Sequence, residues 1–188
     1  MRILPLLLCA LLAGCATAPR QPLPARQQIE DFALEARFSL RSETAGEKTQ
    51  SASGRLSWTH RAERDHILIA TPLGNGVAEI ESTPARASLT LADGQQRLAD
   101  DAEQLLNQAT GQPLPIKHIP DWLRGRGSQQ ASITLDSQGR PQLLREGDWL
   151  VQYNYNDELA DSPPARLTVV KGSELELRLR IEEWRSPP

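Results

Sequence analysis

Apolar and polar residues alternate with a period of two through most of this chain. Phe32, Leu34, Ala36, Phe38 and Leu40 fall on one face, and Glu35, Arg37, Ser39 and Arg41 on the other. That pattern predicts a half-buried strand. The clearest case lies near the C-terminus, where Leu175, Leu177, Leu179 and Ile181 alternate with Glu176, Arg178, Arg180 and Glu182, and Trp184 extends the apolar face. A polar loop at 43–50 leads to a second strand carrying Gly54, Leu56 and Trp58. Shorter strands are predicted at 67–70, 77–80, 87–91, 131–135, 142–145 and 149–155. Pro72, Gly74-Asn75-Gly76 and Asp93-Gly94 supply the turns between the early ones. The middle of the chain changes period. Asp100 or Asp101 can cap a helix over 102–109, which Gly111 ends. A second helix is predicted over 116–123, bracketed by Pro115 and Gly125 and kinked or split by Pro120. A short helix at 27–32 precedes the first strand.

About ten strands in strand-turn-strand order imply an antiparallel meander. The helices interrupt the strands and do not alternate with them, which argues against a doubly wound α/β fold. The prediction is therefore a mainly β chain: a large antiparallel sheet curling into an open, incomplete barrel, with helices over its mouth.

The first fourteen residues read differently. Arg2 is followed by an apolar run over 3–12, too short to span a bilayer core of about 30 Å but of signal-peptide length. The run ends in Leu12-Ala13-Gly14-Cys15, which resembles the bacterial lipobox. There the chain is cut before a cysteine whose thiol takes a diacylglycerol. The plainer alternative is an ordinary secretory signal with a chance cysteine. The expected organisation is a signal peptide at 1–14, a lipid-anchored tether at 15–25 rich in Pro and Ala, and one domain at 26–188. The tether has no hydrophobic period and, extended, reaches some tens of ångströms at roughly 3.3 Å per residue.

Composition narrows the chemistry. Of the two cysteines, Cys9 leaves with the signal and Cys15 is the acylation site, so the domain has no thiol for a disulfide or a metal site. The net charge of −3 becomes slightly more negative once Arg2 is removed, which argues against nucleic acid as a partner. No Gly-x-Ser-x-Gly, His-Glu-x-x-His or glycine-rich phosphate loop is present, so no catalytic residue, cofactor or metal is expected. His60 and His66 flank the charged turn at 61–65 and face each other across a hairpin in one reading; in the other they are two solvated turn residues. Asp100-Asp101 at a helix start reads as capping before catalysis.

Several short motifs remain: Thr71-Pro72-Leu73-Gly74, Pro113-Leu114-Pro115, Trp122-Leu123-Arg124-Gly125, Trp149-Leu150-Val151-Gln152-Tyr153 and Leu177 through Trp184. Their order over 32–184 resembles the outer-membrane lipoprotein receptor family LolB. The resemblance implies an apolar cavity inside the open barrel, under the helical lid. It also implies a non-enzymatic task at the periplasmic face of the outer membrane: accepting lipoproteins from the periplasmic carrier LolA, and passing their acyl chains into outer-membrane phospholipid, as a monomer. Trp58, Trp122, Trp149 and Leu179 become candidates for the acyl-cavity lining, although each is equally suited to ordinary core. Leu73, by sequence alone an unremarkable turn leucine, matches the family's protruding membrane-directed leucine. A structural or lipid-binding outer-membrane lipoprotein with a similar curved sheet is the alternative, and a lipoprotein enzyme with an unrecognised site is a third.

Overall fold

Eleven strands form one antiparallel sheet in the computed structural model, which describes residues 24–43, 48–110 and 112–187. The expected signal peptide, Cys15 and nearly all of the tether lie outside those residues, as does Gly111. The first meander contains β1 (Phe32–Ser42), β2 (Gln50–Arg61), β3 (Arg64–Ala70), β4 (Gly76–Thr83), β5 (Arg86–Leu91) and β6 (Gln96–Ala99). The second contains β7 (Ser132–Leu135), β8 (Pro141–Glu146), β9 (Trp149–Asn154), β10 (Arg166–Lys171) and β11 (Leu175–Arg185). Each strand pairs with its sequence neighbour, and β1 pairs with β11 to join the two meanders. β6 and β7 are left as the two edges, so the barrel is open. Helices α1 (Ala102–Thr110) and α2 (Ile119–Leu123) lie in the connection between those edges.

The inner face follows the period-two pattern. In the β1–β11 seam, Phe38 faces Leu179 and Leu40 faces Leu177; in the β1–β2 pair, Leu34 faces Trp58 and Ala36 faces Leu56. The alternation of Leu175, Leu177, Leu179 and Ile181 puts all four inside. The step of three from Ile181 to Trp184 would turn Trp184 outward in a regular strand. The register shifts there: Ala36 pairs with Ile181 but Glu35 pairs with Glu183. This one-residue bulge returns Trp184 to the inner side, where its ring meets that of Phe32 edge-on at 5.5 Å.

Packing is uneven along the barrel. Phe32, Leu34 and Ala36 are fully buried at the start of β1, whereas Phe38 and Leu40, farther along the same face, are only half-buried. The start of β1 is closed by a solid core of Ile29, Phe32, Leu34 and Trp58. Two arginines pin the preceding segment there: Arg124 donates to the Glu30 carbonyl at 2.7 Å, and Arg126 to the Gln27 carbonyl at 3.0 Å and to the Glu30 carboxylate at 2.9 Å. The Arg126 guanidinium holds the Glu30 carboxyl below the usual carboxylate range.

Some local expectations change. The segment expected to be helical at 27–32 is a single 3-10 turn, Arg26–Gln28. The second helix is shorter than 116–123, and Pro120 does not kink it. Pro120 sits in the first turn of α2, where its missing N–H would have had no intrahelical partner. β6 and β10 are additional to the strands read from sequence.

Candidate functional site

The hollow part of the barrel holds an apolar cavity of about 540 Å³ between atom surfaces, its open mouth included. Its wall is supplied by the first meander and the seam: Phe38 and Leu40 of β1, Leu56 and Trp58 of β2, Ile67 and Ile69 of β3, Ile80 of β4, and Leu177 and Leu179 of β11. The roof comes from the connection: Leu106 of α1, Leu114 and Ile116 of the segment between the helices, and Ile119 of α2. Every lining side chain is apolar. The half-buried lining residues Phe38, Leu40 and Ile69 lie near the strand ends that carry the β3–β4 turn.

The wall is held rigid by groups behind it. The Trp58 indole N–H donates to Asp65 Oδ1 at 2.7 Å, and the same oxygen lies 2.8 Å from His60 Nδ1. His60 stacks on Phe32 at 5.2 Å. Gly54 lies opposite Phe38 in the β1–β2 register, and a side chain at Gly54 would collide with the Phe38 ring and with the Ala70 carbonyl.

The roof is tied to both halves of the sheet. α1 packs on β4, β5 and β6. Of the two aspartates before it, Asp101 is the cap: its carboxylate accepts from the Gln104 N–H at 2.8 Å, and that bond holds the Asp101 carboxyl below its usual range. Lys117 pairs with Asp101 at 3.2 Å, fixing the inter-helix segment to α1. On the other side, Trp122 of α2 donates its indole N–H to Glu146 at 2.8 Å and meets Trp149 of β9 at 5.9 Å. Burial alone would raise the Glu146 carboxyl; the bonds from Trp122 and Ser128 outweigh it and hold the group below its usual range.

Of the four side chains expected to line a cavity, the structure places Trp58 and Leu179 in this wall. Trp122 and Trp149 stand outside it. They belong to the α2–β9 contact of the second meander, while the cavity is walled by β1–β4 and β11. Sequence reasoning missed the roof residues Leu106, Leu114, Ile116 and Ile119. For Leu114 the available signal is the motif Pro113-Leu114-Pro115, a leucine between two prolines in an irregular segment.

Leu73 occupies the turn between β3 and β4 and is 91% exposed. The turn is closed by backbone bonds, from the Gly74 N–H to the Thr71 carbonyl at 2.9 Å and from the Thr71 N–H to the Asn75 carbonyl at 2.8 Å. Pro72 presets one φ, and Gly74 takes the positive φ of +94°. The leucine side chain contributes nothing to the turn and points into solvent.

The histidines do not meet. His60 pairs across the hairpin with Asp65, and His66 with Thr59, so the two rings lie on opposite faces. His60 is buried, contrary to a solvated turn. His66 faces outward, its Nε2 2.6 Å from Glu79 Oε1, and the possible ligand atoms of His66, Glu79 and Glu81 lie within 4.8 Å of one another.

Residues 30–184 match the family model described as outer membrane lipoprotein LolB. The chain is 47% identical to the outer-membrane lipoprotein LolB of Dechloromonas aromatica (strain RCB), over 97% of this chain and 96% of that one. It is 34% identical to the corresponding protein of Bordetella petrii, over 87% and 86% of the two chains. A crystal structure of a LolA superfamily protein from Nitrosomonas europaea shares the fold, with a TM-score of 0.50 at 12% identity over 83% of this chain and 86% of that one. An open eleven-stranded barrel with a roofed apolar cavity, and a family match that spans it, together show that this chain belongs to the outer membrane lipoprotein LolB family.

Proposed function

We propose that this protein accepts lipoproteins from the periplasmic carrier LolA by taking their acyl chains into the apolar cavity, and then inserts those chains into the outer membrane. The observation that carries this reading is the cavity, lined by apolar side chains alone and roofed by a helical segment. Covering acyl chains is worth about 0.8 kcal/mol per CH₂, so a cargo of several chains needs continuous shelter across water. A wall whose single hydrogen-bonding group, the Trp58 indole N–H, is already taken by Asp65 holds the chains without orienting them, which keeps release to a bilayer from being steeply uphill. No bond is made or broken, and the protein is not an enzyme. Cys15 is the site of lipid attachment and anchors the chain at the periplasmic face as a monomer. Trp58 and Leu179 line the acyl site, and Leu73 contacts the bilayer.

The experiment is a two-step transfer. Acylated client loaded on the carrier is mixed with this protein lacking residues 1–15, and then with outer-membrane-lipid vesicles. Client is expected to move to the protein in the first step and to the vesicles in the second. Failure of the first step in a folded protein refutes the reading.

A further inference from the structure

Resting on the transfer reading above, we infer that the client's first residues behind its acylated cysteine lie in a second, polar groove beside the cavity. The groove is formed by α1, the inter-helix segment and the paired ends of β9 and β10 in the second meander, and holds about 820 Å³ between atom surfaces, open solvent included. Leu114 lines both it and the apolar cavity. One side of this half-buried leucine faces acyl space, and the other faces water.

The chemistry of the groove differs from that of the cavity. Gln104 and Asn107, three residues apart on α1, are exposed and line it. That spacing puts both amides on one helix face, each offering donors and an acceptor. Trp149, half-buried, lines the same groove, with Lys171 Nζ 5.9 Å from its ring centre, and Asp101, Glu103 and His118 add charged and polar groups to the lining. Two amides and an indole in one groove suit an extended peptide backbone: the amides pair with its N–H and C=O groups, and the indole packs on it.

A client's acyl chains and its polypeptide start from one cysteine. Once the chains are inside an apolar cavity, the polypeptide must leave across its rim, and its amides cannot be left unpaired in an apolar wall without cost. The groove adjoins the cavity at Leu114 and supplies the missing partners. Recognition through backbone amides is independent of sequence, as a site serving many clients requires. The occupant is therefore the extended segment immediately following the acylated cysteine of a lipoprotein, with Leu114 dividing it from the chains.

Photocrosslinking with the full-length chain in cells tests this. A photoreactive phenylalanine analogue replaces Asn107 in one variant and Leu40, inside the cavity, in another. The expected result is capture of client lipoprotein by both. Mass spectrometry should place the Asn107 crosslink on the residues next to the client cysteine and the Leu40 crosslink on an acyl chain. Combining Gln104→Ala and Asn107→Ala, with the photoreactive group at Leu40, should lower capture of client about 25-fold, as loss of two hydrogen bonds of ordinary net strength implies. Capture at Leu40 without capture at Asn107, or crosslinks from Asn107 only to the client's folded body, overturns the groove assignment and leaves the transfer reading standing. No capture at Leu40 in a membrane-localised, folded variant removes the transfer reading and this inference with it.

Discussion

On the proposed function, replacing Leu73 with Glu should separate receipt of cargo from its delivery. Leu73 is 91% exposed, and its turn is closed through backbone atoms of Thr71, Gly74 and Asn75. The substitution therefore removes no folded-state contact, and its effect on stability should stay within about 0.5 kcal/mol. Its effect at a bilayer is much larger. Nearly the whole side chain is available for transfer, and full burial of a leucine is worth about 2 kcal/mol. That corresponds to about 25-fold in favour of the membrane-engaged orientation. A carboxylate forfeits this gain and adds a desolvation cost of its own. Leu73→Glu should melt like the parent and take lipoprotein from the carrier at the parent rate. Delivery to vesicles should fall by at least about 25-fold. The two steps are measured separately, by carrier-to-protein transfer and by vesicle flotation. Loss of the first step with the second intact would place Leu73 in the cargo site, and parent behaviour in both would make it an ordinary surface leucine.

Leu179→Glu puts a charge in the cavity wall, where Leu179 is buried, and should lower stability by several kcal/mol or abolish acyl binding; unchanged melting and binding would reverse the inside–outside assignment of β11. Gly54→Ala sets a Cβ 2.3 Å from the Ala70 carbonyl oxygen and 2.9 Å from the Phe38 ring, so chemical denaturation should show a loss of about 1–3 kcal/mol. Because the Glu146 carboxyl is held below its usual range in the folded state, its contribution is full above the ordinary carboxylate range and is lost as pH falls through the depressed value. Melting temperatures at pH 7 and pH 3 should therefore differ less in Glu146→Gln than in the parent. Cys15→Ala should yield unacylated protein that leaves the membrane fraction in a high-salt wash, and retention there would show that the lipid is not the anchor.

Sequence legibility tracked burial on one side. β1 and β11 were plain because each has one face in the core and one in water, so period two is written into their residues. β6 was invisible for the opposite reason: Gln96, Arg97 and Leu98 are exposed on an edge, and no face is selected. β10 did carry a signal, the apolar and β-branched run Leu167-Thr168-Val169-Val170, obscured by the prolines at 163 and 164. The bulge at the end of β11 was readable too, since a three-residue step from Ile181 to Trp184 cannot hold one face without it. The cavity was half legible. Trp58 and Leu179 belong to regular strands, and alternation sends them inward. Leu114 and Ile116 reach the cavity from a segment of irregular backbone, where no period exists to read. Trp122 and Trp149 misled because size and rarity mark a tryptophan as important without saying which part of the interior it fills.

The unpaired edges have a mechanical consequence. In a closed barrel, strand number and shear fix the circumference, and widening it breaks ladder hydrogen bonds all round. Here the β1–β11 seam is the one ladder joining the two meanders among the described residues, and β6 does not pair with β7. Spreading those edges breaks no ladder bond. The resistance comes from the roof, through α1 on β4–β6 and, on the other half, through the packing of Trp122 on Trp149 and the bonds from Trp122 and Ser128 to Glu146. Each such side-chain bond is worth on the order of 1 kcal/mol, or somewhat more when its acceptor is charged, less than a ladder of backbone bonds along a whole strand. The barrel is thus a clip, stiff along its strands and compliant across its opening.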